Sequence, residues 1–296
     1  MSPIVAVVAH RKKILGAGLD RLRVLITEEG VGELLWYEVA KSRKAPKKVR
    51  EALDQGAELV FVWGGDGMVQ RCADVMAGSG VPMAVLPAGT GNLFAANLGI
   101  PADLDQAVRI GFRGRREKLD LGLLNGEHFA VMAGAGFEAE MIADVGGRAK
   151  KRFGKLSYVK AAVRQIGGPL VPMKVKIDGT TWFDGRASCL LLGNVSTIAG
   201  GVEAFDDARP DDGWLEVGVS TAKGPLQWAR VIGRMASGRT DDSPFVRITR
   251  AKKVSARFGV PLAYELDGGE REPTTRIKAK AAAGALTVCL PPDKRL

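Results

Sequence analysis

Two short apolar runs in the first third of the chain each end in a glycine-rich turn that leads into a helical pattern. Residues 59–63 precede the turn Gly-Gly-Asp-Gly at 64–67, and residues 83–86 precede Pro-Ala-Gly-Thr-Gly-Asn at 87–92. Continuous apolar runs separated by helices are typical of parallel strands that are buried on both faces of a sheet. The carboxyl ends of such strands meet at one edge, where ligands bind. The sequence therefore predicts an α/β fold in which both turns face one ligand site.

The alternation of strand and helix changes near residue 125. Before it, further strand-like runs at 4–9 and 34–39 alternate with helical stretches, which predicts a doubly wound, mostly parallel sheet. After it, short alternating runs are bounded by Gly, Pro and Asp-Gly turns, which predicts an antiparallel β-sandwich-like domain. Helical insertions are expected in this second part at residues 136–166 and 224–237.

The net charge of +10 is concentrated in three basic runs, at residues 41–50, 109–118 and 148–155. Such runs suit a polyanion or the anionic face of a membrane. Aromatic residues make up only 6% of the chain and are not interleaved with these runs, which argues against a nucleic-acid partner. No apolar stretch approaches the roughly 20 residues needed to cross a bilayer, and the first residues lack the features of a signal peptide. We therefore expect a cytoplasmic protein that associates peripherally with the inner face of a membrane.

The residue types in the two turns fit a nucleotide that carries magnesium. Glycine lacks a side chain, so its backbone N–H can approach a phosphate closely, and the helix that follows directs its N-terminus at the same point. Asp66 would repel a phosphate alone, but it suits Mg²⁺ placed between its carboxylate and the phosphate oxygens. Thr90 can donate to a phosphate oxygen, and Asn92 can cap the next helix or orient the substrate. Any strand-to-helix turn needs glycine, but two such turns together favour a phosphate site.

The order strand, Gly-Gly-Asp-Gly, helix, strand, Pro-Ala-Gly-Thr-Gly-Asn resembles the catalytic domain of the diacylglycerol and sphingosine kinase superfamily of lipid kinases. The resemblance extends in the same order through residues 119–122, 131–139, 193–194, 204–215 and 264–270. It implies a diacylglycerol-kinase-type enzyme of phospholipid metabolism that transfers the γ-phosphoryl group of ATP to a lipid hydroxyl, with Mg²⁺ as cofactor. The acceptor expected first is diacylglycerol-like.

The resemblance also implies two domains and a role for individual residues. A nucleotide-binding α/β domain is expected over 1–124 and a β-rich lipid-substrate domain over 125–296. Asp66 and Asp120 would hold or orient the catalytic magnesium. Asp267 and Glu270 would supply carboxylates near the acceptor, with Glu270 as the base that takes the hydroxyl proton. The implied nucleotide-binding set is Gly64, Gly65, Asp66, Gly67, Met68, Gly89, Thr90, Asn92, His10, Arg11 and Ser42.

A second, structural magnesium is implied farther along the chain. The segment 204–215 is similar to one that holds such an ion in bacterial members of the family. The side chain of Asp212 and the backbone carbonyls of Arg209 and Trp214 would be its ligands. On the residues alone, Asp-Asp-Gly at 211–213 is more typical of a hairpin turn.

Three departures from the family pattern leave other functions open. Met68 stands where threonine is usual, Leu93 stands where bacterial members commonly have aspartate, and an extra glycine displaces Glu270 by one residue. These changes would fit a nucleotide-binding regulator that has lost catalysis. An NAD kinase also uses a Gly-Gly-Asp-Gly turn, although the turn at 87–92 and the Asp-Gly-Gly-Glu at 267–270 favour the lipid branch. The expected partners are the lipid acceptor and an anionic membrane surface, and a homodimer stays open.

Overall fold

The computed structural model describes residues 3–136, 169–198, 202–205, 207–235, 237 and 239–294. It divides into two compact units, one formed by Met1–Asp120 with Gly284–Leu296 and the other by Leu121–Ala283. The boundary expected after residue 124 thus falls after residue 120. The sequence-based division placed residues 284–296 in the second domain, whereas in the structure they belong to the first unit.

The first unit alternates strands and helices, as its hydrophobic pattern predicts. Its elements are β1 (Ile4–His10), α1 (Gly18–Glu28), β2 (Glu33–Val39), α2 (Ala45–Asp54), β3 (Leu59–Gly64), α3 (Asp66–Met76), β4 (Met83–Pro87), α4 (Leu93–Asn97) and α5 (Leu104–Arg113). The sheet has the order β2-β1-β3-β4, and all the described pairs between these strands are parallel. Helix α1 packs with α5, and α2 packs with α3, as in a doubly wound fold.

Burial explains why these segments take the positions they do. Every residue of β3 and of β4 is buried, so these strands form the centre of the sheet. The amphipathic helices bury one stripe each, for example Leu22 and Ile26 in α1. Local signals mark the helix starts: Pro46 lies in the first turn of α2, and the Asp103 side chain accepts a hydrogen bond from the Gln106 N–H at the start of α5. The carboxyl ends of β1, β2, β3 and β4 therefore lie at one edge, with the switch in strand order between β1 and β3.

The second unit is built mainly from antiparallel strands. The elements are β5 (Arg115–Leu124), β6 (Glu127–Phe129), β7 (Met132–Ala135), β8 (Val171–Ile177), β9 (Thr180–Ala187), β10 (Cys189–Gly193), β11 (Thr197–Ile198), β12 (Val202–Glu203), β13 (Leu215–Ser220), α6 (Gly224–Met235), β14 (Val246–Ala251), β15 (Lys253–Leu266) and β16 (Gly269–Leu290). The strand order is β14-β13-β10-β7-β15-β16, with β8 and β9 added beside β15, and β5 and β6 beside β16. The core of the unit includes Phe129, Leu192 and Ile277.

The structure describes the second of the two expected helical insertions. Helix α6 confirms the insertion at 224–237, and it buries Trp228 and Val231 against Cys189 and Ala222. The insertion at 136–166 and the basic run at 148–155 lie outside the described residues. None of the helices among the described residues has the length and apolar character needed to span a bilayer.

Strand β16 belongs to both units. Its first part pairs with β15 from Gly269 to Lys280 in the second unit, whereas Val288 pairs with Met83 of β4 in the first. Leu286, Val288 and Leu290 are fully buried. Residues 284–296 belong to the first unit because this end of β16 completes its sheet.

Three two-residue turns fix the register of the hairpins in the second unit. Asn125–Gly126, Asp178–Gly179 and Asp267–Gly268 have positive φ at both positions. This is the geometry of type I′ turns, which match the twist of antiparallel strands and favour Asn-Gly and Asp-Gly. The third turn joins β15 to β16 and places Glu265 directly opposite Glu270.

Candidate functional site

The two glycine turns of the first unit touch each other through their backbones. A Cβ added to Gly65 would lie 3.0 Å from Gly89 Cα, and one added to Gly89 would overlap the Gly65 backbone and lie 2.6 Å from Asn92 Oδ1. Neither position can therefore carry a side chain without a shift of the chain. The Ala88 N–H also donates to the Gly64 carbonyl at 3.0 Å. The turns thus form one backbone surface at the carboxyl edge of the sheet, which we call the glycine cradle (residues 64–67 and 87–92).

Asn92 holds the second turn of the glycine cradle. Its Oδ1 accepts the Gly89 N–H at 2.8 Å, and its Nδ2 donates to the carbonyls of Gly89 and Pro87 at 3.0 and 3.2 Å. Its backbone is left-handed, with φ of 50°. The expectation that its side chain caps the next helix is wrong, because the Asn92 side chain accepts no hydrogen bond from the first N–H groups of α4. The side chain is used within the turn, which leaves Thr90 exposed above it.

Asp66 links the two turns. It is the first residue of α3, and its Oδ1 accepts the Phe94 N–H of α4 at 3.2 Å. A Cβ on Gly91 would lie 3.1 Å from its other oxygen. Burial raises the pKa of Asp66, and the backbone N–H groups of Phe94 and Leu93 offset part of this rise. A half-buried carboxylate beside a surface of glycine backbone fits a phosphate group that arrives with a divalent cation, since the cation would stabilise the ionised form.

A basic cavity lies at the carboxyl ends of β1 and β2. It has a volume of about 610 Å³ and is lined by Arg11, Glu38, Val39, Ala40, Arg43, Lys44, Lys47 and Lys48. Arg11 and much of the basic run 41–50 therefore surround one space, which suits an anionic ligand. Two other predicted residues are near it in the chain. His10 ends β1 and its Nδ1 accepts the Lys12 N–H at 3.3 Å, and Ser42 begins the 3₁₀ turn Ser42–Lys44.

Met68 and Asp120, which were predicted to contact the nucleotide or its magnesium, are buried in the first unit. Met68 is buried, and a Cβ on Gly64 would lie 2.5 Å from the Met68 Cβ. Its side chain therefore fills the core below the glycine cradle and has no exposed surface for a nucleotide. Asp120 is also buried, and its Oδ1 accepts the Gly284 N–H at 2.7 Å. This bond joins β5 to β16 within the first unit.

Three carboxylates surround the β15–β16 turn in the second unit. Asp267 accepts the N–H groups of Ala130, Val131 and Met132 at 2.7, 2.9 and 2.9 Å. Both of its oxygens are thereby used to fix the 130–132 backbone against the hairpin. Glu270 is exposed and stands opposite Glu265. The second glycine of Asp-Gly-Gly-Glu, Gly269, pairs with Leu266 and is the first residue of β16.

Glu265 is a buried member of this group that sequence reasoning missed. It is only 3% exposed, and its Oε2 has no hydrogen-bond partner among the residues that the structure describes. Burial, and then the charges of Asp267 and Glu270, raise its pKa to about 7. The Asp-Gly pair could have identified Glu265 from the sequence, since a two-residue turn at 267–268 places residues 265 and 270 opposite each other across the hairpin.

The pKa of Glu265 predicts how stability changes with pH. Below its unfolded value of 4.5, both states bind the proton and there is no penalty. As pH rises from 4.5 to 7, the unfolded chain releases the proton while the folded chain retains it, so stability falls. Replacing Glu265 by glutamine should remove this loss, which is on the order of 3 kcal/mol above pH 7. Urea unfolding at pH 4 and pH 8 should show the two proteins alike at the lower pH and the variant more stable at the higher.

A matched control for this prediction is Glu272→Gln, two residues beyond Glu270 on the exposed side of β16. It should follow the wild-type pH dependence. If the free energies of unfolding of Glu265→Gln and wild type differ by the same amount at both pH values, the raised pKa of Glu265 is not the cause of the difference.

The Asp212 carboxylate, which was expected to bind a structural magnesium, is paired with groups of the protein in this structure. Asp212 Oδ1 accepts the Trp214 N–H at 3.0 Å, and its other oxygen is paired with the Arg250 guanidinium. Arg250 also pairs with Glu216 at 3.0 Å, while Arg209 pairs with Asp211 and not with Asp212. An arginine thus supplies positive charge at Asp212 in this structure, and the magnesium expected there stays a prediction.

Comparisons with known proteins match both parts of the chain. Residues 12–124 match the family model "Diacylglycerol kinase catalytic domain", and residues 130–290 match "YegS C-terminal NAD kinase beta sandwich-like domain". A "Probable lipid kinase YegS-like" protein of Pseudomonas fluorescens is 30% identical over 264 residues, which is 85% of this chain and 84% of that one. A diacylglycerol kinase of Mycobacterium tuberculosis is 28% identical over 211 residues, covering 69% and 68%.

Solved structures share the fold. A diacylglycerol kinase from Bacillus anthracis superposes with a TM-score of 0.73 at 18% identity and covers 98% of this chain and 97% of its own. An NAD kinase from Archaeoglobus fulgidus in complex with ATP has a TM-score of 0.51 at 11% identity, covering 97% of this chain and 93% of its own. These structures agree with an α/β unit followed by an antiparallel sheet.

Proposed function

The chain belongs to the diacylglycerol kinase and YegS-like family of lipid kinases, and we propose that it transfers the γ-phosphoryl group of ATP to the hydroxyl of a diacylglycerol-like lipid. The family makes it a kinase-type transferase, for which ATP is the phosphate donor. The observation that carries the finer proposal is the glycine cradle, in which Gly65 and Gly89 touch and Asp66 lies between the turns. Such a surface suits phosphate oxygens and a carboxylate suits the cation that accompanies them.

The donor half of the proposal uses residues of the first unit. The backbone of Gly64, Gly65, Gly67 and Gly89, with the exposed Thr90 hydroxyl, would bind the phosphates of ATP. Arg11 and the cations of the basic cavity would bind further anionic groups of the nucleotide, with His10 and Ser42 close by in sequence. Asp66 would hold Mg²⁺, which when bound offsets phosphate charge during transfer.

The acceptor half uses the carboxylates of the second unit. Glu270 is exposed and would take the proton of the lipid hydroxyl as its oxygen attacks the γ-phosphorus, while ADP leaves with the bridging oxygen. Asp267 positions the 130–132 backbone and so acts as a positioning residue. Glu265 lies directly opposite Glu270, and its ionised form would help to attract the proton that leaves the lipid hydroxyl.

A phosphate-transfer assay tests the proposal against the alternatives. The protein would be incubated with γ-labelled ATP and magnesium, and with either a total membrane lipid extract or NAD. We expect label in a lipid, whose identity mass spectrometry would then establish. Label in NAD alone would favour an NAD kinase. ATP binding without label in either acceptor would favour a regulator that has lost catalysis, which is the reading that Met68 and Leu93 support.

A further inference from the structure

The three central strands β8, β15 and β16 of the second unit have one apolar and one basic face. Val175, Val254, Ala256, Ile277 and Ala279 point into the core. The residues that alternate with them are exposed and almost all cationic. We call this the basic sheet face; its cations are Lys174, Lys176, Lys253, Arg257, Arg276, Lys278 and Lys280.

The register places these cations next to one another. Lys253 is directly opposite Lys280, and Arg257 is directly opposite both Arg276 and Lys174. Ser255 lies between Lys176 and Lys278. Like charges at directly opposed positions destabilise a sheet. The arrangement therefore works against the stability of the second unit unless an anion offsets it.

Little of this charge is neutralised within the protein. Lys174 pairs with Asp184 at 2.6 Å, and over the described residues no other cation of the basic sheet face has an ion-pair partner. Asp178, at the end of β8, uses its Oδ1 to accept the Lys253 N–H at 2.7 Å. Six of the seven cations thus keep their charge available for a partner.

A groove crosses one end of the basic sheet face. It has a volume of about 520 Å³ and lies between the hairpin turns Asn125–Gly126 and Asp178–Gly179. Lys176, Lys253, Lys278 and Lys280 line it together with Ser255. Lysine stems give such a groove an apolar lining, and their ammonium groups remain at its rim.

Two basic runs of the sequence, 109–118 and 41–50, lie outside the basic sheet face. In the run 109–118, Arg113 pairs with Glu29 and Arg115 pairs with Glu117, while Arg116 donates to the Gly111 carbonyl at 2.7 Å. Much of the run 41–50 lines the basic cavity of the first unit. The basic sheet face, which is dispersed along the sequence and forms no run, provides a more open cationic surface than either.

We infer that the basic sheet face docks the protein on anionic phospholipid headgroups of a membrane surface. The inference rests on the proposed function, since a kinase whose acceptor is a lipid works where that lipid resides. Charge complementarity identifies the partner as anionic. Residues 172–176, 253–257 and 276–280 contain no aromatic side chain, whereas surfaces for single-stranded nucleic acid combine cations with aromatic side chains on which bases stack. The face therefore suits a membrane better than a nucleic acid.

Vesicle co-sedimentation tests the inference without ATP, so its outcome is independent of phosphoryl transfer. The full chain would be titrated with vesicles of phosphatidylcholine alone and of phosphatidylcholine with phosphatidylglycerol. We expect binding to the anionic vesicles only. Each cation close to such a surface contributes about fivefold in affinity, so the variant K253Q/K278Q/K280Q should bind about 100-fold more weakly.

The matched control is K41Q/K47Q/R50Q, which removes the same charge from the first unit. It should lose much less affinity than the variant of the basic sheet face, and thermal melting of all three proteins would confirm that they fold. Equal losses in both variants, or wild-type binding by K253Q/K278Q/K280Q, would overturn the inference. So would equal binding to neutral and anionic vesicles, or a single-stranded oligonucleotide that binds this face more tightly than the vesicles do.

Discussion

Replacing Asp66 by asparagine is expected to lower phosphoryl transfer by about 10³-fold, the scale on which removal of one charge-stabilising group acts in an active site. Asparagine has the same shape, and its Oδ1 can still accept the Phe94 N–H. The substitution therefore preserves the link between the two turns of the glycine cradle. What it removes is the negative charge, which a magnesium-bound phosphate needs and a bare phosphate does not.

Calorimetric titration separates these effects. ATP without magnesium should bind Asp66→Asn at least as tightly as wild type, because a repulsive charge is gone, whereas the gain in affinity that magnesium gives wild type should disappear. Asp20→Asn is a matched control, since Asp20 lies in the first turn of α1 and is exposed; it should behave as wild type. Full activity of Asp66→Asn, or its failure to bind ATP in the absence of magnesium, would contradict the assigned role.

Replacing Glu270 by glutamine is expected to lower kcat by about 10²- to 10⁴-fold, the usual contribution of a general base. Nucleotide affinity should stay the same, because Glu270 belongs to the second unit and the glycine cradle to the first. Glu272→Gln, which removes an exposed carboxylate two positions further along β16, should retain activity. Full activity of Glu270→Gln would show that Glu270 is not the base.

The pH dependence of kcat distinguishes Glu270 from its buried neighbour. Glu265 has a pKa raised to about 7, so it becomes ionised as pH passes this value, and its negative charge then helps to attract the proton that leaves the lipid hydroxyl. Wild-type activity should rise through an inflection near pH 7, and Glu265→Gln should lose the inflection while keeping measurable activity. If Glu265→Gln is inactive at every pH and Glu270→Gln is not, Glu265 is the base.

The sequence was sufficient for the fold because its hydrophobic pattern is clear. The apolar runs at 59–63 and 83–86 became β3 and β4, and the Asp-Gly pairs at 178–179 and 267–268 became hairpin turns. These features depend on local chemistry: a fully buried strand must be apolar, and a type I′ turn requires positive φ. The approach of the two glycine turns also followed, since parallel strands end at one edge of their sheet.

The sequence was insufficient where a side chain finds a distant partner. Nothing near Asp212 indicates that Arg250 will pair with it, and nothing near Asp267 indicates that its oxygens will accept three N–H groups from residues 130–132. The burial of Glu265 likewise depends on strands that are far away in the chain. The roles of these residues depend on tertiary contacts, which motif spacing does not contain.

The passage of β16 from one unit to the other has a consequence for biosynthesis. The parallel pairing of Val288 with Met83 joins positions about 200 residues apart, and contacts of such long range are slow to form. When the ribosome has synthesised residues 1–120, most of the first unit exists but the strand that pairs with β4 does not. During that interval the growing chain exposes an apolar strand with an unpaired edge, the kind of edge that associates with other chains. The first unit is thus completed only after the second unit has been synthesised.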